Sequence, residues 1–240
     1  MIKLLALDVD GTLIGENNRI SEGVKEAIGK VVENKGTIAL LSGRNYYGMK
    51  EYIEDLGIVK GIAASANGAE MVEIETETLL SKVPIEYQAA KMAVEEAKRL
   101  DCVPINFSDL HVYTEGFEHL SETYKNILNQ HFYKIESIVH NIQEHPPSKL
   151  MMAGHRESLE QLKQEMLLKY EEEVNLDFSM PYLLEAYSKK ADKGKALVEI
   201  MKFYRISPEE TMCVGDSEND RSMFRQAGLA VAMGNAMEHV

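Results

Sequence analysis

LLALDVDGTL, residues 4–13, runs four apolar side chains straight into an acidic turn. An unbroken apolar run, rather than an alternating one, is what a strand covered on both faces of a parallel sheet requires. The same form recurs along the chain. TIALL (37–41) stops at Ser42-Gly43-Arg44, and GIAAS (61–65) leads into Asn67-Gly68. TMCV (211–214) meets Gly215-Asp216-Ser217, and LAVAM (229–233) follows. Helical patterns separate these runs. Ser21 is placed to cap a helix whose Val24, Ala27, Ile28, Val31 and Val32 fall on one face, with Asn34-Lys35-Gly36 ending it. A second helical stretch reaches Leu56, and a third begins at Lys193. Strand and helix in alternation predict an α/β fold: a doubly wound, Rossmann-like parallel sheet.

The rhythm changes after about residue 70. MVEIETETLL alternates like a half-exposed hairpin, and Lys82-Val83-Pro84 reads as a junction. Beyond it the patterns predict a helix over 86–100, a strand over 102–107 and a helix near 119–130. After the Pro146-Pro147 break they predict a strand over 149–154, a helix over 156–169 and a strand over 175–180. The parallel rhythm then returns, with LLEAY (183–187) leading to the helix from Lys193. The expected organisation is a catalytic core from 1–83 and 184–240, interrupted by an inserted α+β cap domain from 84–183.

Among 240 residues, 45% are apolar and 27% charged, which is ordinary for a soluble globular protein. The formal charge of −13 argues against a broad basic face for nucleic acid or anionic membrane. It leaves room for an anionic substrate, because a local site or a metal reverses the sign within a few ångströms. Cys102 and Cys213 are the only cysteines, too few for a disulfide framework or a thiolate zinc cage, and they suit a reducing cytoplasm. The apolar stretch before Asp8 is too short for a signal peptide or a membrane span. No residue pattern fixes an oligomeric state.

In an open parallel sheet, ligands bind beyond the carboxyl ends of the strands. Asp8/Asp10, Ser42/Gly43, Asn67/Gly68 and Asp216/Asn219/Asp220 all follow such ends, and Lys193 starts a helix. Those residue types suit phosphoryl transfer. A carboxylate that attacks a phosphate dianion needs a divalent cation between them. Magnesium prefers hard oxygens, which Asp8, Asp10 and Asp216 supply. The hydroxyl of Ser42, the backbone N–H groups after it, and the Lys193 ammonium are donors for the remaining phosphoryl charge. A carboxyl at Asp10, two residues on, suits proton transfer to the leaving oxygen and then from water. Each signal taken singly has a plain alternative, such as a turn, a helix cap or a solvated lysine. Their order and their common place at strand ends carry the reading.

DVDGTL (8–13), LLSGR (40–44), DKG (192–194) and GDSENDRSMF (215–224) resemble, in order, the four motifs of the haloacid dehalogenase superfamily. The similarity is greatest to its Cof-type phosphatases, whose α/β cap lies between the second and third motifs; ANGAE (66–70) and AMGNA (232–236) also look like that group. The resemblance implies a magnesium-dependent phosphatase acting on a small phosphorylated metabolite. It implies Asp8 as nucleophile, Asp10 as general acid and base, and Asp8, Asp10 (by backbone or side chain) and Asp216 around Mg2+. Ser42, Gly43 and Lys193 would then hold phosphate, Asn219 would lie near it, and Asp220 would orient Lys193 or the metal waters. Two positions depart from the pattern: the chain stops at Val240 soon after AMGNA, and Arg221 stands where an apolar residue is more usual. A phosphomutase, or a non-enzymatic protein that accepts phosphate or binds a phosphometabolite, are the competing readings. The seven histidines show no ligand spacing, and Arg44 is left open between a surface residue and a substrate contact.

Overall fold

The structure is a computed structural model that describes residues 1–15, 17–116 and 132–240. The chain divides into two compact units, 1–81 with 191–240, and 82–190.

The first unit contains β1 (Leu4–Leu7), α1 (Glu22–Glu33), β2 (Thr37–Leu41), α2 (Tyr47–Asp55), β3 (Gly61–Ser65), β4 (Glu70–Glu73) and β5 (Thr78–Lys82), the last ending one residue past the seam. The element numbering resumes there at α6 (Lys193–Tyr204), β12 (Thr211–Gly215), α7 (Arg221–Phe224) and β13 (Leu229–Ala232). Its sheet runs β13-β12-β1-β2-β3-β4-β5, parallel from β13 through β3, with β4 antiparallel to β3. Leu4, Ala6, Ala39, Leu41, Ile62 and Ala64 are buried under Leu197, Ile200 and Met201 of α6, which is why these strands read as continuous apolar runs. The chain winds from β1 to β3 in one direction and from β12 to β13 in the other, so the switch point falls between β1 and β12. Leu7 pairs with both Leu40 and Val214. That register levels the carboxyl ends of three strands and sets residues 8, 42 and 216 along one edge.

Two caps follow the expected chemistry. Ser21 Oγ accepts from the backbone N–H of Val24 at 3.3 Å, and Asp192 Oδ1 accepts from that of Lys195 at 2.9 Å.

The second unit holds α3 (Tyr87–Arg99), β6 (Val103–Ser108), β7 (His111–Thr114), β8 (Phe132–Lys134), α4 (Ile138–Glu144), β9 (Lys149–Ala153), α5 (Arg156–Tyr170), β10 (Val174–Met180) and β11 (Leu183–Ser188). Its sheet order is β10-β11-β9-β6-β7-β8; β7 and β8 are parallel and the other printed pairs antiparallel. Alternation in β9 sends Leu150 and Met152 to the core with α3 and α5, and Met151 and Ala153 to the opposite face with Ile105 and Phe107.

One expectation needs correction. LLEAYS does not lie with the first sheet: as β11 it pairs with β9 and β10, which moves the seams to 81/82 and 190/191 from the expected 83/84 and 183/184. Its side chains alternate, Leu184 and Ala186 to the helix-covered core and Leu183 to the buried cluster on the opposite face. Strands β7 and β8 and helix α4 were not anticipated, being short or lacking a continuous apolar face. The helix expected near 119–130 lies outside the described residues. Among the described residues, no helix is long and apolar enough to cross a membrane.

Leu162 is fully buried between helices α3 and α5, whereas Leu168 on the same helix is 85% exposed. Leu162→Ala is expected to lower stability by about 2–5 kcal/mol in urea unfolding. Leu168→Ala should change it by less than about 0.5 kcal/mol.

Candidate active site

Asp8 is the first residue beyond β1, tied to the neighbouring strand by its N–H to the Val214 carbonyl at 3.0 Å. The chain then turns tightly, with the N–H groups of Leu13 and Ile14 on the Val9 carbonyl at 2.9 and 3.0 Å. Gly11 takes φ +83° in this turn, and a Cβ there would collide with the Asp216 carboxylate. Only glycine lets the loop pass so close to Asp216 in that conformation. Thr12 Oγ donates to Asp216 Oδ1 at 2.9 Å and fastens the two strand ends together.

Lys193, the first residue of α6, sends its ammonium into the interior. It lies 2.5 Å from Asp8 Oδ1 and 2.7 Å from Asp220 Oδ1, with the Lys193 and Asp220 side chains at most 1% exposed. Asp220 Oδ2 in turn accepts the backbone N–H groups of Asp216 and Ser217, each at 2.9 Å. Asp220 therefore has both oxygens committed and braces the lysine against the β12 loop. Burial pushes the Asp8 carboxyl up to about 6; Lys193 beside it pulls the other way, and the Asp220 charge adds to the rise.

Carboxylate oxygens of Asp8, Asp216 and Asp220 lie within 4.8 Å of one another. An all-carboxylate set, without imidazole or thiolate, fits a hard divalent cation. This grouping differs from the expected Asp8, Asp10 and Asp216. The Asp10 side chain, 54% exposed, is engaged by Arg44 instead, through Nη2 at 2.7 Å and Nε at 2.9 Å. A residue three positions past a strand end is already on the loop, where its carboxylate is free to turn toward the β2 side.

Ser42, buried at the end of β2, accepts the Arg44 N–H on its Oγ at 3.1 Å. Gly43 faces the Asn67 amide, from which a Cβ at 43 would be 3.4 Å away. Asn67, left-handed at φ 56°, accepts from Asn219 Nδ2 at 3.1 Å, so the loops after β3 and β12 meet there. Every site residue named from the sequence thus sits on a loop or helix start at the carboxyl edge of the first sheet. Arg44 and Thr12 were not assigned beforehand. The only available signal for Arg44 was its place two residues after Ser42.

A doubly wound sheet with an acidic, lysine-braced switch point defines a class of hydrolases. Residues 5–240 match the family described as haloacid dehalogenase-like hydrolase, and the chain belongs to it. It is 28% identical to the candidate phosphatase YxeH of Bacillus subtilis (strain 168), over the whole of this chain and 90% of that one. Among solved structures, TM0651 from Thermotoga maritima is 28% identical, with a TM-score of 0.88 over all of this chain and 89% of that one. A subclass IIB sugar phosphatase of the same superfamily superimposes with a TM-score of 0.76 at 22% identity, covering 99% of this chain and 89% of its own, a likeness of fold alone.

The Asp8 environment yields a stability prediction for the metal-free protein. The folded state keeps the Asp8 proton to about pH 6 and the unfolded chain only to about 3.8, so raising the pH through that window favours unfolding. Asp8→Asn removes the burden and keeps the shape. In EDTA the variant should be more stable than the wild type near neutral pH, by on the order of 2–3 kcal/mol. The advantage should vanish as the pH falls toward 4. Thermal unfolding across that range checks it, and a less stable variant at neutral pH contradicts it.

Proposed function

We propose that this protein is a cytoplasmic, magnesium-dependent phosphatase that hydrolyses small phosphate monoesters, such as sugar phosphates or pyridoxal phosphate, through a phospho-aspartate on Asp8. The observation that carries this reading is the buried Asp8–Lys193–Asp220 chain, at 2.5 and 2.7 Å, beside Asp216 at the switch point of the sheet. Membership of the hydrolase family and the phosphatase name of YxeH support the reaction class.

In this reading Asp8 Oδ attacks phosphorus in line as the bond to the leaving oxygen breaks. Asp10 gives that oxygen a proton, then takes one from the water that cleaves the acyl phosphate. Lys193, the Ser42 hydroxyl and the Gly43 N–H hold the phosphoryl oxygens, and Asn219 lies close to them. Asp220 keeps the lysine from swinging away. Asp8 and Asp216, with the backbone of Asp10, would hold the cation. Magnesium held there would supply the positive charge that lets a carboxylate approach an anionic phosphoryl group.

All these groups suit any phosphate monoester, so substrate choice is assigned to the 82–190 unit. The test uses p-nitrophenyl phosphate and a panel of phosphate metabolites. Asp8→Asn should abolish turnover and EDTA should suppress it, with magnesium restoring activity. Lys193→Ala should depress every substrate together, while polar substitutions in 82–190 should reorder the panel by roughly 1–3 kcal/mol per lost contact. Activity retained by folded Asp8→Asn removes Asp8 as the nucleophile.

A further inference from the structure

The carboxylate of Asp10 stands half exposed on a loop, where an aspartate would ordinarily turn among several rotamers. Here it does not stand alone. Arg44 Nε approaches both of its oxygens, at 3.1 and 2.9 Å, and Nη2 approaches Oδ1 at 2.7 Å, a forked, two-point grip. The guanidinium is itself secured. Nη1 donates to the Gly48 carbonyl at 3.3 Å and to the Tyr52 hydroxyl at 3.4 Å, and the group lies 5.3 Å from the centroid of the Tyr52 ring. Tyr52 is buried in α2. At the other end, the Arg44 backbone is pinned by its N–H on Ser42 Oγ and by its carbonyl, which accepts from the Ala66 N–H at 2.8 Å.

We propose that Arg44 is a positioning residue for Asp10, aiming the carboxyl group that protonates the leaving oxygen. The proposal rests on the reading of Asp10 as proton donor. In that step the Asp8 oxygen bonds to phosphorus, the P–O bond of the ester breaks, and its electron pair goes to the leaving oxygen. That oxygen takes the proton of Asp10. The negative charge left on Asp10 arises facing the guanidinium, in the two-point arrangement seen here. Arg44 directs Nε, Nη1 and Nη2 to protein oxygens, which answers the question the sequence left open: it serves Asp10 and is neither a bystander on the surface nor, in this state, a substrate contact.

The experiment compares kcat/KM for substituted phenyl phosphates whose phenols span a range of basicity. p-Nitrophenolate departs without a proton, whereas phenolate needs one. Arg44→Ala should reduce kcat/KM for phenyl phosphate by about 10–100-fold, and for p-nitrophenyl phosphate by less than about 3-fold. Arg44→Lys should recover part of the loss. In the Asp10→Asn background, Arg44→Ala should have no further effect, because a residue acting through Asp10 has nothing left to act on. Arg44→Gln, which keeps a polar, unbranched side chain and removes the charge, repeats the test if Arg44→Ala does not fold. An equal loss for every phenyl phosphate, or losses that add in the double variant, overturns the proposal while leaving Asp10 as donor. If Asp10→Asn itself leaves the dependence on the leaving group unchanged, the reading of Asp10 falls first.

Discussion

The ammonium of Lys193 is held in a space closed to solvent, between the carboxylates of Asp8 and Asp220. An unpaired charge there would cost several kcal/mol, so Lys193 and Asp220 each require the other. The arrangement dictates much around it. The start of α6 must abut β1, and Gly194 is there because a side chain would strike the Ser222 carbonyl. Gly215 leaves room for the Asp220 carboxylate in the same way, since a Cβ would stand 2.6 Å from it. The loop after β12 wraps Asp220 with two backbone N–H groups, which also sets the direction in which Asp216 points.

The same triad carries a net negative charge when Asp8 is ionised, and burial raises its cost. Excess negative charge in a buried cluster of oxygens favours a divalent cation. The surrounding strands, by contrast, bury apolar side chains under α6.

Asp8 and Asp10 are two residues apart and have opposite surroundings. Asp8 directly follows a buried strand and is paired with a buried lysine. Asp10 lies past the end of that strand, half exposed, and is gripped by an arginine from the β2 loop. One short stretch of chain thus gives two carboxylates different surroundings: one buried against a lysine, the other on the rim against an arginine.

The sequence by itself determined the first sheet and the roll of residues along its edge. Apolar runs such as LLAL and TIALL are local signals of strands covered on both faces, and DVDGTL, SGR, DKG and GDSEND each follow or begin an element in plain view. Tertiary structure alone decided which of these side chains touch. Lys193 is 185 residues from Asp8 and reaches it only because register levels β1, β2 and β12. The turn of Asp10 toward Arg44 was equally hidden, because a loop carboxylate takes its direction from neighbours that sequence spacing does not reveal. LLEAYS suits either sheet by composition, and its antiparallel partners claimed it. Strand β8, only three residues long and exposed throughout, left no periodic trace to read, since burial is what writes periodicity into a sequence.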